Sequence, residues 1–293
     1  MGLREYCFNG KQELELESLP TNAKGDGLTK KDKETYLAYT EKNLARIAAL
    51  QDKLYAAGKE GIVGVLQAMD AAGKDSTIKH VMRGVNPQGV DVVSFKQPTS
   101  EELRHDYLWR AHKALPERGK IAIFNRSYYE DVLVVKVHRM QKSYAMADRC
   151  IDAPDKDFFG KRYLQIRDFE EYLYENSYRV VKIFLNVSRK KQKQRFLERI
   201  DVPEKNWKFS ESDLKERVHW DEYMKAYEAA INATATKHSP WYVIPADQKW
   251  YARFLVSEVV RKVLEEADPA YPELPEEKRR DLAACKWMLQ TEE

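Results

Sequence analysis

At 293 residues, with 43% hydrophobic and 33% charged side chains, the chain has the apolar material for a core of one or two domains. Its formal net charge of +3 is close to balance, which excludes a general nucleic-acid coat and assigns any anion binding to local clusters. Cys7, Cys150 and Cys285 are scattered with no CxxC pair, which argues against a disulfide framework and a zinc site.

No apolar h-region opens the sequence, and the longest apolar runs, 62–66 and 180–187, are far too short for a bilayer. The expectation is a cytoplasmic protein without signal peptide or membrane segment. Residues 1–28 mix charges, Asn and Gly with little periodicity and read as an N-terminal arm. Thr29 and Asp32 resemble a capping-box start. Leu37, Leu44, Ile47, Leu50 and Leu54 then recur at helical spacing until Gly58.

An alternation follows. The run GIVGVLQ (61–67) reads as a buried strand, with a helix over 74–82. VDVVSF (90–95) is a second strand, before a helix over 101–115. KIAIF (120–124) is a third, before helices over 128–139 and 162–175. RVVKIFLNV (179–187) is a fourth, before helices near 190–200 and 211–231. WYVIP (241–245) is the fifth, and a helix over 249–266 closes the domain. Near-continuous apolar strands separated by helices predict an α/β fold, a five-stranded parallel sheet covered on both faces. No long Gly/Ser/Pro-rich linker interrupts it, so one domain is expected over 29–268, followed by an extension over 269–293 that ends in a short helix. Such sheets bind ligands beyond the carboxyl ends of their strands.

Beyond the first strand stands Ala68-Met69-Asp70-Ala71-Ala72-Gly73-Lys74-Asp75-Ser76. A phosphate loop needs a small-residue turn with converging N–H groups, a helix N-terminus, and a lysine over the β/γ oxygens. Ala71, Ala72 and Gly73 permit close approach, and Lys74 supplies the cation. The match to GxxxxGK[ST] is imperfect. Ala68 replaces the first Gly, and Asp75 follows the lysine with Ser76 one place later. The bland alternative is a chance strand-to-helix turn. A carboxylate in such a loop repels phosphate unless a cation intervenes, so Asp70 is either a Mg²⁺ ligand or a loop-structuring Asx turn.

Beyond the third strand, Arg126 is suited to clamp phosphate bidentately. Asp131 is suited to hold Mg²⁺ in the Walker B manner. Their plain alternatives are a surface salt bridge and a first-turn carboxylate favoured by a helix dipole. After the fourth strand, residues 189–208 carry eight basic against three acidic side chains, an excess of five. Arg195 and Arg199 share a helical face there, and paired guanidiniums suit the charge on a transferring phosphoryl group. A bare charge run otherwise reads as a solvated face. Lys96, ending the second strand, is a further anion contact.

Taken together, the phosphate-loop segment, Phe124-Asn125-Arg126-Ser127-Tyr128-Tyr129-Glu130-Asp131, Pro203-Glu204-Lys205-Asn206-Trp207-Lys208, Lys96-Gln97-Pro98-Thr99 and Trp241–Asp247 resemble the polyphosphate kinase 2 family over roughly residues 30 to 268. The resemblance implies a three-layer α/β/α sandwich of the P-loop kinase, thymidylate-kinase-like kind with a lid over about 189–210. It implies a Mg²⁺-dependent, reversible transfer of phosphoryl groups between inorganic polyphosphate and nucleotides, commonly by homodimers or homotetramers. By motif position Asp70 and Asp131 correspond to the family's metal-coordinating carboxylates, Lys74 to its loop lysine and Arg126 to its phosphate-contacting arginine. Arg195, Arg199, Lys205 and Lys208 fall in the lid, and the Asp75 departure fits the family's own pattern. Asn125 with Glu130 and Asp131 resembles members acting on nucleoside diphosphates, which points to ADP, then AMP and guanine nucleotides. The rivals are an ATP-dependent nucleoside monophosphate kinase and a non-enzymatic polyanion-binding module; no nucleic-acid or membrane partner is expected.

Overall fold

The computed structural model describes residues 3–292. A two-residue strand, β1 (Cys7–Phe8), and several 3₁₀ turns precede a 25-residue helix, α1 (Lys33–Ala57). Thr29 and Asp32 do close the expected capping box just before it, and Gly58 ends it in the left-handed conformation at φ +61°. The parallel strands follow as β2 (Gly61–Gln67), β3 (Val90–Ser94), β4 (Ile121–Asn125), β5 (Tyr178–Asn186) and β6 (Trp241–Pro245). The helices between and after them are α2 (Lys74–Val81), α3 (Trp109–Lys113), α4 (Val134–His138), α5 (Asp148–Ile151), α6 (Asp155–Glu175), α7 (Arg189–Asp201), α8 (Glu211–Val218), α9 (Trp220–Thr234), α10 (Lys249–Ala267) and α11 (Glu276–Thr291).

The sheet runs β1-β6-β5-β2-β4-β3, with the five longer strands parallel. β1 pairs antiparallel to β6, Cys7 opposite Tyr242 and Phe8 opposite Trp241. The sheet thus has six strands and is mixed, where five parallel ones are expected from the sequence. Two residues are too few to carry a period, and the register comes from the edge of β6 rather than from β1 itself.

Every residue of β2 and β6 is buried, as a sheet covered on both faces requires. The period-two alternation of the pleat splits the core into two layers. Ile62, Ile121, Ile123, Val181 and Ile183 face Ile78, Val81, Val256 and Val260 of α2 and α10 around a small apolar void. On the opposite face Lys182 reaches Glu170 of α6 and the carbonyl of Thr234 in α9. Residues 3–28 are held by the body: Leu14 N–H donates to Asn232 Oδ1 at 2.8 Å, Leu16 N–H to Glu228 Oε2 at 2.8 Å, and Ala23 N–H to Gln248 Oε1 at 2.9 Å.

Three expected helices are broken. Over 101–115, Thr99 and Glu102 cap each other around a single 3₁₀ turn (Glu102–Arg104). His105 is extended, and the Asp106 side chain accepts from Leu108 N–H at 2.9 Å to start α3 afresh. Over 128–139, a 3₁₀ turn (Tyr128–Val132) gives way to α4 at Leu133, φ −110° and ψ −86°. The 211–231 stretch breaks at His219 into α8 and α9. The helix expected from 162 starts a turn and more earlier, at Asp155.

Candidate active site

The chain leaves β2 at Gln67 and turns through Ala68–Gly73 into α2. Two residues of this turn lie in the left-handed region, Ala71 at φ +59° and Gly73 at φ +105°. Gly73 is required by that dihedral, since a side chain there would be strained whatever the space. Lys74 folds back over the loop, its ammonium donating to Ala68 O at 2.8 Å. Burial pushes its amine below the usual lysine value, with the Asp70 carboxylate opposing.

β4 ends beside this loop. Arg126 N–H donates to Leu66 O at 3.1 Å, extending the strand pairing one step past Asn125. Arg126 then turns at φ +63°. A non-glycine residue in that region costs about 1–3 kcal/mol and marks an over-determined position. Its guanidinium meets Asp70 Oδ1 at 3.0 Å and lies 3.7 Å from Glu130 Oε2. Burial alone would lower this arginine; Glu130 and Asp70 override it and raise it. Glu130 itself is pushed up by burial, against Arg126 and Lys74. Asn125 donates to Asp75 Oδ1 at 2.7 Å, tying the tip of β4 to the start of α2.

Asp131 is only 5% exposed. Tyr144 donates to its Oδ1 at 2.9 Å, and Arg162 Nε stands 2.7 Å from its Oδ2. That nitrogen is close enough for an ion pair, yet its N–H is not aimed at the oxygen. Oδ2 is therefore a buried acceptor without a hydrogen bond. Burial raises the Asp131 carboxyl above the usual range, with Arg162 as the main opposing influence.

Behind this segment lies a closed polar network. Glu170 accepts from the hydroxyls of Tyr128 and Tyr129, both at 2.9 Å, from Ser239 at 2.9 Å and from the Lys182 ammonium. Glu170 and Lys182 are fully buried. They clamp both tyrosines between Arg126 and Asp131.

The predicted lid residues divide. Arg195 is buried and donates to four carbonyls, those of Ala71 and Ala72 in the loop and of Ala246 and Asp247 after β6. It buttresses the loop from behind. Arg199 donates to Lys208 O at 3.0 Å and pairs with Asp213 at 3.2 Å. Lys205 pairs with Glu198. Among the described residues no carboxylate lies within ion-pair reach of the Lys96, Lys208 or Lys249 ammonium groups.

Two cavities meet here. One, of about 810 Å³, is walled by Phe95, Tyr107, Tyr128, Tyr144 and Tyr227, with Asp70, Arg110, Arg126, Glu130 and Asp131 at its polar end. The other, of about 520 Å³, is a cationic groove formed by Gly73, Lys74, Asp75, Ser76, Arg195, Arg199, Lys205, Lys208 and Lys249. Asp70, Lys96 and Arg126 line both. Asp131 lines only the first, and Ala72 neither. Arg162, Tyr144 and the Glu170–Lys182 pair are not among the residues that sequence reasoning singles out. Glu170 sits at helical spacing between the buried Ile166 and Leu173, and Lys182 interrupts an apolar strand. A charge on an apolar face is the signal for both.

The family model described as Polyphosphate kinase 2 (PPK2) matches residues 30–272. An ADP-polyphosphate phosphotransferase of Rhodopseudomonas palustris is 47% identical over 258 residues, 88% of this chain and 89% of that protein. An AMP/ADP-polyphosphate phosphotransferase of Meiothermus ruber is 47% identical over 228 residues, covering 78% and 80%. The crystal structure of Polyphosphate Kinase 2 from Arthrobacter aurescens TC1 superposes with a TM-score of 0.82 at 37% identity, over 97% of each chain.

Proposed function

The chain belongs to the polyphosphate kinase 2 family, and from that premise we propose that it moves phosphoryl groups from inorganic polyphosphate to ADP, and to AMP and guanine nucleotides as further acceptors. The observation that carries the assignment of places is the meeting of two cavities of different character at Asp70, Lys96 and Arg126. The aromatic-walled cavity suits a nucleotide, and the cationic groove suits a polyanion. The phosphoryl group passes where they join.

The carboxylate set fits Mg²⁺. That ion takes one or two carboxylates, keeps several waters and uses substrate phosphates for the rest. Asp70 and Asp131 line one cavity; Asp131 Oδ2 has the Arg162 guanidinium 2.7 Å away as its counter-charge but accepts no aligned hydrogen bond, which leaves a lone pair for a bound cation. When bound there, the ion supplies charge neutralisation between donor and acceptor phosphates. Lys74 and Arg126 stabilise the equatorial oxygens of the group in flight, and Arg195 holds the loop that aims Lys74. The acceptor's terminal phosphate oxygen attacks the terminal phosphorus of polyphosphate directly; the P–O bond to the rest of the chain breaks, and the chain, one phosphate shorter, leaves with the bonding pair. The attacking oxygen is already ionised, so no side chain must serve as nucleophile or strong base.

Kinase domain limits of 29–268, a lid over 189–210 and a homodimeric or homotetrameric assembly complete the proposal. Among the described residues no helix is long and apolar enough to cross a membrane. The test supplies polyphosphate as sole donor with AMP, ADP, GMP or GDP and follows nucleotide products. ATP from ADP is the expected outcome. Transfer only from ATP to a monophosphate would overturn it in favour of the rival kinase reading.

A further inference from the structure

We infer that polyphosphate longer than the catalytic groove leaves it along a track on the packed faces of α2 and α10, carried by Lys249, Arg253, His80 and Arg83. The inference rests on the proposed function and adds a binding site outside the groove. Its starting point is Lys249, which lines the groove and has no acidic partner. Arg253 follows four residues later on α10, and so lies on the same helical face one turn further out. On the neighbouring helix, Ser76 lines the groove, and His80 and Arg83 recur at four and seven residues beyond it, just past the end of α2 for Arg83. At 1.5 Å of rise per residue this carries positive charge about 10 Å beyond the groove.

The partner inventory separates this row from an ordinary solvated face. Surface cations on helices usually stand beside carboxylates, as Arg261 does with Glu258 and Glu265 further along α10. Among the described residues Arg253 has no ion pair, and its Nε is a buried donor without a hydrogen-bond partner. His80 Nε2 is likewise buried and unpartnered. Beyond burial, Lys249 is pushed down by Arg195 and then by Arg253, with Glu198 opposing, and Arg253 is pushed down by Arg83. Burial is the larger cause in both cases. His80 is lowered by burial and then by Arg253 and Arg83. The acids at hand are Glu198, which pairs with Lys205, and Glu41, which pairs with Arg83 at the outer end. Lys249 and Arg253 are like charges with no ion pair among the described residues, which raises the free energy of the empty protein, and a polyanion relieves it; Arg83 keeps Glu41 as its counter-charge, and His80, being lowered, takes part as a neutral hydrogen-bond donor. A nucleotide is too short to reach the row from the groove, whereas a long polyphosphate continues in line from Lys74 past Lys249.

The experiment compares the full-length protein with its Arg253→Ala and Arg253→Glu variants, using long-chain polyphosphate and tripolyphosphate as alternative donors to ADP. The expected result is a rise of about fivefold in the ratio of KM for the long chain to KM for tripolyphosphate on Arg253→Ala, the scale of one exposed charge contact. Arg253→Glu should raise it further. The log–log salt dependence of KM for the long chain should lose roughly 0.7–0.9 of slope per phosphate contact removed, by analogy with nucleic acids. A merely structural role for Arg253 would move both donors together. An unchanged ratio, or equal shifts for both donors, overturns the track while leaving the proposed function in place. Altered binding of a single-stranded RNA with an unchanged ratio overturns it in favour of nucleic acid. Transfer from neither donor in the unsubstituted protein overturns the function and the track together.

Discussion

Replacing Arg162 by Met tests what holds Asp131 ready. The pair is buried, Arg162 at 11% and Asp131 at 5% side-chain exposure. Arg162 also spreads its guanidinium over the rings of Tyr107 and Phe158, 4.3 and 4.7 Å from their centroids. Removing one partner of a buried pair leaves an uncompensated charge and costs about 3–5 kcal/mol. At this chain length about 2 °C of melting temperature is lost per kcal/mol, so the midpoint should fall by about 6–10 °C. The sign of the pH dependence follows from the carboxyl. Burial already raises Asp131, and Arg162 is the main influence opposing that rise. Without the arginine it rises further. A group whose folded value lies above its unfolded one, about 3.9 for Asp, stabilises below that value and loses the contribution as pH climbs through the folded value. The gap between Arg162→Met and the unsubstituted protein should therefore narrow as pH falls from mildly alkaline to mildly acidic. The double variant Asp131→Asn/Arg162→Met, which leaves no bare charge, should recover most of the loss. Thermal and urea unfolding across pH measure all three. A loss under about 1 kcal/mol, or a gap that widens on acidification, would show that Arg162 does not hold the Asp131 charge in place.

Asp70→Asn should cut kcat by about 10²-fold or more, the several kcal/mol expected of a metal-bound oxygen, with an unchanged melting midpoint; near-full activity would sink the metal role. Lys74 titrates below the usual lysine value because of burial. The alkaline fall in kcat/KM, which reports the free enzyme, should therefore lie below about pH 10.4. In whatever rate remains, Lys74→Arg should push that limb upward, because a guanidinium stays protonated; an unmoved limb assigns it elsewhere. Lys182→Met should destabilise by about 3–5 kcal/mol by stranding Glu170. Glu170→Gln/Lys182→Met should be milder than Lys182→Met, as urea unfolding would measure, and equal losses would deny the pair its coupling.

Strands β2, β4, β5 and β6 were legible because both layers bury most of their residues, so hydrophobicity runs nearly unbroken, whereas the edge strand β3 is largely exposed and was legible by its β-branched residues. Strands β2 and β6 match the expected 61–67 and 241–245 residue for residue. β1 was not legible, since its two residues are ordered by an edge that only the finished sheet provides. One of the broken helices has a local cause that the sequence pattern hides: the Asp106 side chain binds a main-chain N–H two residues on, which competes with continued helix. At the site, the loop and Arg126 announced themselves by charge at strand ends. Arg195 carries the same charge but serves four carbonyls, and nothing in a run of basic residues separates a buttress from a free cation. Arg162 and Tyr144 reach Asp131 from distant positions on the chain, which local pattern does not encode.

The two carboxylates of the site are held by opposite strategies, and this bears on how the centre handles ligands. Asp70 and Arg126 form a pair at 27% and 41% side-chain exposure, the kind worth about 0–1 kcal/mol. Such a pair exchanges partners at little cost, as the proposed roles of Arg126 toward a phosphate and of Asp70 toward a cation require. Asp131 and Arg162 are buried, and separating them costs several times more. The mouth of the site is thus exchangeable while its rear wall is fixed, and the Glu170 network behind Tyr128 and Tyr129 extends that fixity along the whole turn from Arg126 to Asp131. For the proposed transfer this means that preorganisation at the rear keeps Asp131 aimed without reorganisation at the moment of reaction, and that the weak pair in front is the one a phosphate chain has to open on entry.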